Sequence, residues 1–99
     1  MELKEEIFVE VCKIPRGETR SYKEIAKAVK TSPRAVARIL SFNPYPIRIP
    51  CHRVIRSNGK IGGYTFKGKR NDKMKIKLLR KEGVRIKGDK ILIKNVDIL

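Results

Sequence analysis

Cys51 and His52 stand side by side in the stretch IPCHRVI, residues 49–55, and no other pair in the chain is as well equipped for chemistry. A thiol attacks as the thiolate, so near neutral pH a cysteine needs a base or a positive neighbour. His52 is the sole histidine and follows Cys51 directly. Adjacent side chains on a straight strand point to opposite faces. Cooperation between the two therefore requires a turn at Cys51, which Pro50 permits. Two bland readings compete: a metal ligand and a small core residue. Cys12 is the one other cysteine, and no CxxC pair exists. A disulfide framework is not expected. Zinc takes four protein ligands, or three and a water; Cys12, Cys51 and His52 supply three at most, so no metal site is expected. Residue type and spacing leave a reactive Cys51 and an inert one both open.

The elements around this pair can be read from periodicity and capping. Residues 2–14 read as a helix with Leu3, Ile7 and Val11 on one face and Phe8 and Cys12 alongside, which predicts a buried Cys12. SYKE is a capping box: Ser21 and Glu24 can satisfy each other's backbone N–H groups, opening a helix over Tyr22 to Val29. In the next stretch Ser32 is a good N-cap, and Pro33 sits where its missing N–H costs nothing. Val36, Ile39 and Leu40 form the expected buried face, with Arg34 and Arg38 together on another. Two short helices joined by a tight turn suggest a helix-turn-helix, the second carrying arginines near the end that meets a duplex. The alternative is two helices packed for stability behind a solvated basic face.

NPYPIRIP, residues 43–50, holds three prolines and is expected to be an extended, rigid connector. VIRSNGKIGGY reads as a strand, a turn at Asn58-Gly59 and a Gly-rich return, with Gly62-Gly63 allowing close backbone approach. Asn71 or Asp72 should cap a helix that faces Met74, Leu78 and Leu79 inward and ends at Gly83. A hairpin turning at Gly88-Asp89 closes the chain. The whole, residues 1–99, is expected to be one domain of α/β class, mainly α, with winged helix-turn-helix-like architecture and a small C-terminal β-hairpin.

Charge is the strongest bulk signal. Twenty-five Lys and Arg face ten Asp and Glu, for a formal +15. An excess this large implies an anionic partner; nucleic acid fits best and an acidic membrane surface second. No 18-residue apolar run exists, so no membrane-spanning helix is expected. The N-terminus lacks the basic-then-apolar layout of a secretory signal, which places the protein inside the cell.

IPCHRVI does not stand alone. SYKEIAKAV, SPRAVARIL, FNPYPIRIPCHRVI, GGY and LLRKEG occur in an order and at a spacing that resemble the O6-alkylguanine-DNA alkyltransferases, from about residue 5 to residue 83. The resemblance implies direct reversal of O6-alkylguanine in double-stranded DNA, by irreversible transfer of the alkyl group to Cys51. It implies that His52 acts on Cys51 through a bound water, that Glu82 orients His52, and that Cys51 is held rich in thiolate. It makes Tyr22 the hydroxyl that serves the flipped guanine at N3, and Asn43 the hinge between recognition helix and active-site loop. Arg34 becomes the finger that fills the vacated base position, with Ser32, Ala35 and Arg38 beside it on the DNA-facing helix. Tyr64 and Thr65 belong to the loop that closes over the base. It implies no cofactor, no membrane association and a monomer.

The sequence also departs from that pattern. Typical members carry an N-terminal domain of comparable size that is expected to be absent here, and Met1 favours a natural start. AVARIL lacks the glycine that often follows the valine; Phe42 and Arg48 replace residues of other character; GGYTF stands for the commoner GGYSG. Two alternatives remain. One is the alkyltransferase-like branch, damage-sensing DNA binders in which another residue replaces the cysteine; Cys51 argues against it. The other is a helix-turn-helix DNA-binding protein with an inert Cys51.

Overall fold

Local capping fixes where each helix begins. The computed structural model describes residues 1–92; the last stretch of the expected C-terminal hairpin, 93–99, lies outside the described residues. Helix α1, Leu3–Cys12, starts where Glu5 takes the Glu2 backbone N–H at 3.3 Å. Helix α2, Tyr22–Val29, opens on the expected capping box: Ser21 Oγ accepts from Glu24 N–H and the Glu24 carboxylate accepts from Ser21 N–H, both at 3.0 Å. Helix α3, Pro33–Leu40, has Ser32 as its N-cap, the hydroxyl accepting from Ala35 N–H at 3.1 Å. Between α2 and α3 the chain turns within three residues, with Lys30 left-handed at φ 60°. Helix α4, Asp72–Lys81, is capped by Asn71, which accepts from Met74 N–H at 3.1 Å.

The helices supply most of the core. Ile7, Val11 and Ile14 from α1 and its end, Ile25 and Ala26 from α2, and Val36 and Leu40 from α3 pack with Cys51, Val54 and Tyr64. The first three lie four and three residues apart, one helical face. Cys12 is rotated off that face and is exposed, contrary to the sequence expectation. Leu3, at the first turn, is also exposed.

The strands are short. Strand β1, Arg20–Ser21, pairs in parallel with β2, Val54–Ile55. Strands β3, Thr65–Phe66, and β4, Lys69–Arg70, form one antiparallel hairpin; β5, Ile86–Lys87, and β6, Lys90–Ile91, form another, turning at Gly88-Asp89 as expected. The expected pairing of VI with the Gly-rich return does not occur. The chain does turn at Asn58-Gly59, closed by Arg56 N–H to Lys60 C=O at 2.9 Å, but Lys60 then bridges to Lys90. Beyond it the glycines run as irregular backbone. The winged helix-turn-helix-like α/β reading holds: α2 and α3 form the helix pair, and small β-hairpins flank it.

The connector 43–50 is not extended. It folds back on itself: Ile49 N–H donates to Tyr45 C=O at 2.9 Å, and Ile47 takes φ 78° to close the turn. The prolines rule out helix, but they are equally at home in turns, and the side chain of Asn43 selects the turn by accepting Tyr45 N–H at 2.8 Å.

The capping geometry of α2 makes a quantitative expectation. Ser21→Ala should lower stability by about 1 kcal/mol, read as a shift of the urea midpoint at unchanged slope. A shift indistinguishable from zero would mean that tertiary packing alone holds the start of α2.

Candidate active site

Cys51 sits on a single 3-10 turn, Cys51–Arg53, not on a strand. That turn supplies the bend the sequence required. Pro50 C=O accepts Arg53 N–H at 2.9 Å, and the adjacent side chains diverge to two environments. The Cys51 side chain faces a cleft of about 200 Å³ lined by Tyr22, Ala37, Leu40, Ser41, Gly63, Tyr64, Thr65 and Arg70. That is smaller than the ~300–1,000 Å³ typical of drug-sized sites. The side chain of His52 goes the other way, fully buried, toward α4.

There it meets Glu82. Nε2 of His52 lies 3.0 Å from Oε2 of Glu82, and Arg53 grips the same carboxylate with Nε to Oε1 at 2.9 Å and Nη2 to Oε2 at 2.8 Å. The remaining Arg53 nitrogen, Nη1, donates to Ile14 C=O at 2.8 Å. Burial alone would raise the Glu82 carboxyl; hydrogen bonds from Arg53 and His52 outweigh it and bring the pKa down to about 2. A carboxylate accepts only, so Nε2 must carry the proton that joins them. Burial lowers His52 below its ordinary value, against the pull of Glu82. The neutral ring therefore has its proton on Nε2, and Nδ1, buried and with no hydrogen-bond partner among the described residues, keeps its lone pair.

The thiol itself is not a standing thiolate. Burial pushes Cys51 up, opposed by the Asn43 hydrogen bond and the positive charge of Lys75. This runs against the expected thiolate-rich cysteine: with the residue only 5% exposed, little water is left to solvate a charge on its sulfur. Asn43 holds this sulfur in place. Its Nδ2 donates to Sγ at 3.2 Å and to Ile49 C=O at 2.9 Å, so one amide ties α3's exit to the reactive turn.

Tyr22 lines the cleft from the start of α2. Burial pushes its hydroxyl up to about 12, which keeps it a neutral donor at physiological pH. Beneath it lies Lys75, which sequence reasoning missed. Its side chain is fully buried, with Nζ donating to Val54 C=O at 2.7 Å, Gly63 C=O at 3.2 Å and the Tyr22 hydroxyl at 3.5 Å. Burial brings it down to about 8. Lys75 precedes Leu79 by four residues, so periodicity alone placed it on the inward face; its residue type concealed it. Arg53 was also missed, and nothing but its place beside His52 could have marked it.

Tyr64 is buried and sits edge-on to His52, ring centroids 6.5 Å apart; Thr65 follows on β3. Both line the cleft, as a closing loop would. Asp72, considered as a cap, instead takes Tyr64 N–H at 2.9 Å and pairs with Arg70. Ser32, Arg34, Ala35 and Arg38 together line a groove on the outer face of α3. Neither Arg34 nor Arg38 has an ion-pair partner among the described residues. Arg34 and Arg38 are four residues apart on the outer face of α3, and Ala37 and Ser41, which line the cleft, are likewise four apart. Among the described residues no cluster of three His, Cys, Asp or Glu could hold a metal, and no helix is long and apolar enough to cross a membrane.

Known proteins resemble this chain in sequence and fold. A family model described as 6-O-methylguanine DNA methyltransferase, DNA binding domain, matches residues 2–84. A methylated-DNA–protein-cysteine methyltransferase of Saccharolobus islandicus is 54% identical over 80 residues, 81% of this chain and 50% of that protein. A crystal structure of Mycobacterium tuberculosis OGT in complex with DNA matches with a TM-score of 0.74 and 38% identity, covering 83% of this chain and 50% of that one. S. pombe Atl1, in complex with damaged DNA containing O6-carboxymethylguanine, matches with a TM-score of 0.78 and 25% identity, covering 98% of this chain and 95% of that one. The chain spans about half the length of the curated relatives it matches.

The Glu82 carboxylate yields a pH signature. Its folded pKa, about 2, lies below the ordinary 4.5. The ionised carboxylate thus contributes its full stabilisation, about 3 kcal/mol, above pH ~4.5 and loses it as pH falls toward 2. Glu82→Gln should be less stable than the parent at pH 7 by up to about that amount, and the gap should shrink between pH 5 and pH 2. A gap independent of pH would show that the network does not hold Glu82 ionised.

Proposed function

The chain belongs to the 6-O-methylguanine DNA methyltransferase family, through that family's DNA-binding domain, and from that premise we propose that it repairs DNA by direct reversal, moving the alkyl group of O6-alkylguanine to Cys51. The observation that carries the reading is the placement of Cys51: its sulfur faces a cleft beside the exposed basic face of α3, while its neighbour His52 is locked onto Glu82 behind it. The target carbon lies inside a duplex, so the nucleotide leaves the stack and enters the cleft. Arg34, exposed and unpaired on the outer face, occupies the vacated position and stacks on the neighbouring bases. Ser32, Ala35 and Arg38 lie along the DNA surface, and Tyr64 and Thr65 close over the base.

The chemistry is one in-line displacement. Sγ forms a bond to the alkyl carbon as the carbon–O6 bond breaks. The thiol proton passes through a water to Nδ1 of His52, whose tautomer Glu82 fixes. The negative charge developing on guanine is met by a hydrogen bond donated to N3 by the neutral Tyr22 hydroxyl, and the released base takes its proton from solvent. The thioether has no easy leaving route, so each molecule reacts once. No cofactor takes part. Asn43 keeps Sγ on line. The domain works as a monomer, inside the cell.

A second reading draws on the likeness to Atl1, which this chain matches with a TM-score of 0.78 at 25% identity. On that reading the domain flips and holds the damaged nucleotide without efficient transfer, and Cys51 decides between the two. After incubation with duplex DNA containing O6-methylguanine, intact mass should rise by one methylene, located on the peptide with Cys51. Cys51→Ser should bind the damaged duplex and gain nothing, because a hydroxyl is far less nucleophilic than a thiol; Cys12→Ser should react normally. Methyl on Cys12, or none at all with binding intact, would defeat the transfer reading.

Arg34 carries a separate expectation. Its stacking term should be about 1–3 kcal/mol and insensitive to salt, unlike a phosphate contact, whose loss flattens the salt dependence by roughly one unit. Arg34→Ala should slow reaction with duplex DNA far more than reaction with free O6-benzylguanine, which needs no flipping. Equal slowing of both would assign Arg34 to the fold or the cleft instead.

A further inference from the structure

Arg70 is the one charged side chain among those lining the Cys51 cleft, and the alkyl-transfer chemistry gives it no task. It is placed with unusual care for a surface residue. Its side chain is 76% exposed, yet Nε and Nη2 are forked onto the Asp72 carboxylate at 3.0–3.2 Å. Asp72 in turn holds Tyr64 N–H, and Asn71 N–H donates to Tyr64 C=O at 2.7 Å. Across the β3–β4 hairpin, Arg70 is the register partner of Thr65, itself in the cleft wall. The guanidinium lies over Gly63: a Cβ there would meet Nη2 at 3.4 Å. Backbone pairing, the forked carboxylate and the glycine beneath it all fix the plane of the group.

A guanidinium has five N–H donors. The fork uses Nε and one side of Nη2, and Nη1 makes no hydrogen bond among the described residues. The other polar side chains of the cleft wall, Tyr22, Ser41, Tyr64 and Thr65, are neutral at physiological pH. A cleft of about 200 Å³ leaves little distance between its mouth and any ligand seated against Sγ. We infer that Arg70, latched by Asp72, is an anion-binding subsite at the mouth of the cleft that engages an anionic oxygen of the nucleotide being repaired. The inference rests on alkyl transfer at Cys51. Two anions fit the same edge: a phosphate flanking the flipped nucleotide, and a carboxylate carried by the alkyl adduct itself.

The test compares Arg70→Gln and Arg70→Lys with the parent under single-turnover conditions at saturating substrate, on three substrates. These are free O6-benzylguanine, duplex DNA with O6-methylguanine, and duplex DNA with O6-carboxymethylguanine. Arg70→Gln should leave the neutral free base within about twofold and slow one or both duplex reactions about tenfold, the worth of a charge-assisted hydrogen bond. Arg70→Lys should recover part of the loss. Equal slowing of both duplexes identifies the phosphate, and slowing confined to the carboxymethyl adduct identifies the carboxylate. Equal slowing that includes the free base, or no slowing anywhere, overturns the subsite. An equal loss of affinity for undamaged duplex overturns it as well, since Arg70 would then be a general backbone contact. If the parent itself takes up no alkyl group from any substrate, the transfer reading falls and the subsite with it.

Discussion

One carboxylate organises this molecule. Glu82, at the end of α4, accepts from His52 and from the fork of Arg53, and Arg53 reaches on to Ile14 C=O at the end of α1. Three segments far apart in sequence thereby meet at one buried point. A buried ion pair repays its desolvation only when its remaining donors and acceptors are also satisfied. Here both carboxylate oxygens are engaged, and the spare Arg53 nitrogen finds a carbonyl. The direction of the reactive turn follows: with His52 and Arg53 drawn toward α4, Cys51 is left facing the cleft.

That arrangement separates two demands on the thiol that conflict. A nucleophile benefits from being ionised, but a sulfur packed in the core is pushed toward the neutral form. The structure answers by keeping the base ready rather than the thiolate. Glu82 fixes the proton on Nε2 of His52 and leaves Nδ1 able to receive another. Thiolate character and exposure also govern oxidation, so a buried, neutral Cys51 is protected until its substrate arrives. Under the proposed single-use chemistry, a sulfur lost to oxidation is a molecule lost.

Two populations of cations share the +15. Arg34 and Arg38 stand on the outer face of α3 with no ion pair among the described residues, available to phosphate or base. Lys75 is the opposite case. Its ammonium is fully buried, and its donors are taken up by two carbonyls and a hydroxyl, which pin β2 and the Gly63 segment to the floor beneath Tyr22. A buried charge is tolerated only with such partners, and its pKa of about 8 records what burial still costs.

The sequence by itself determined whatever short-range chemistry controls. Ser21 with Glu24, Ser32 with Pro33, Asn71, and the Gly88-Asp89 turn each act within four residues, so helix starts and the last hairpin were legible. So was the need for a bend between Cys51 and His52, because the alternation of a strand is a local rule. Periodicity marked Ile7, Val11 and Val36 as core, yet misjudged Cys12, which lies one residue beyond the buried face. What only the tertiary structure decided depended on meetings across the chain. The resemblance assigned Glu82 to His52, but Arg53 as the clamp between them appeared only when α1, the turn and α4 converged. Lys75 was hidden because no local rule predicts a buried lysine until carbonyls from elsewhere surround it. The compact turn at 43–50 followed from Asn43 bonding Tyr45, Ile49 and Cys51 at once. The parallel pairing of β1 with β2 joins residues more than thirty apart, where the local pattern suggested a hairpin. Capping and periodicity are properties of neighbours; desolvation, which sets the state of Cys51, His52 and Lys75, is a property of the packed whole.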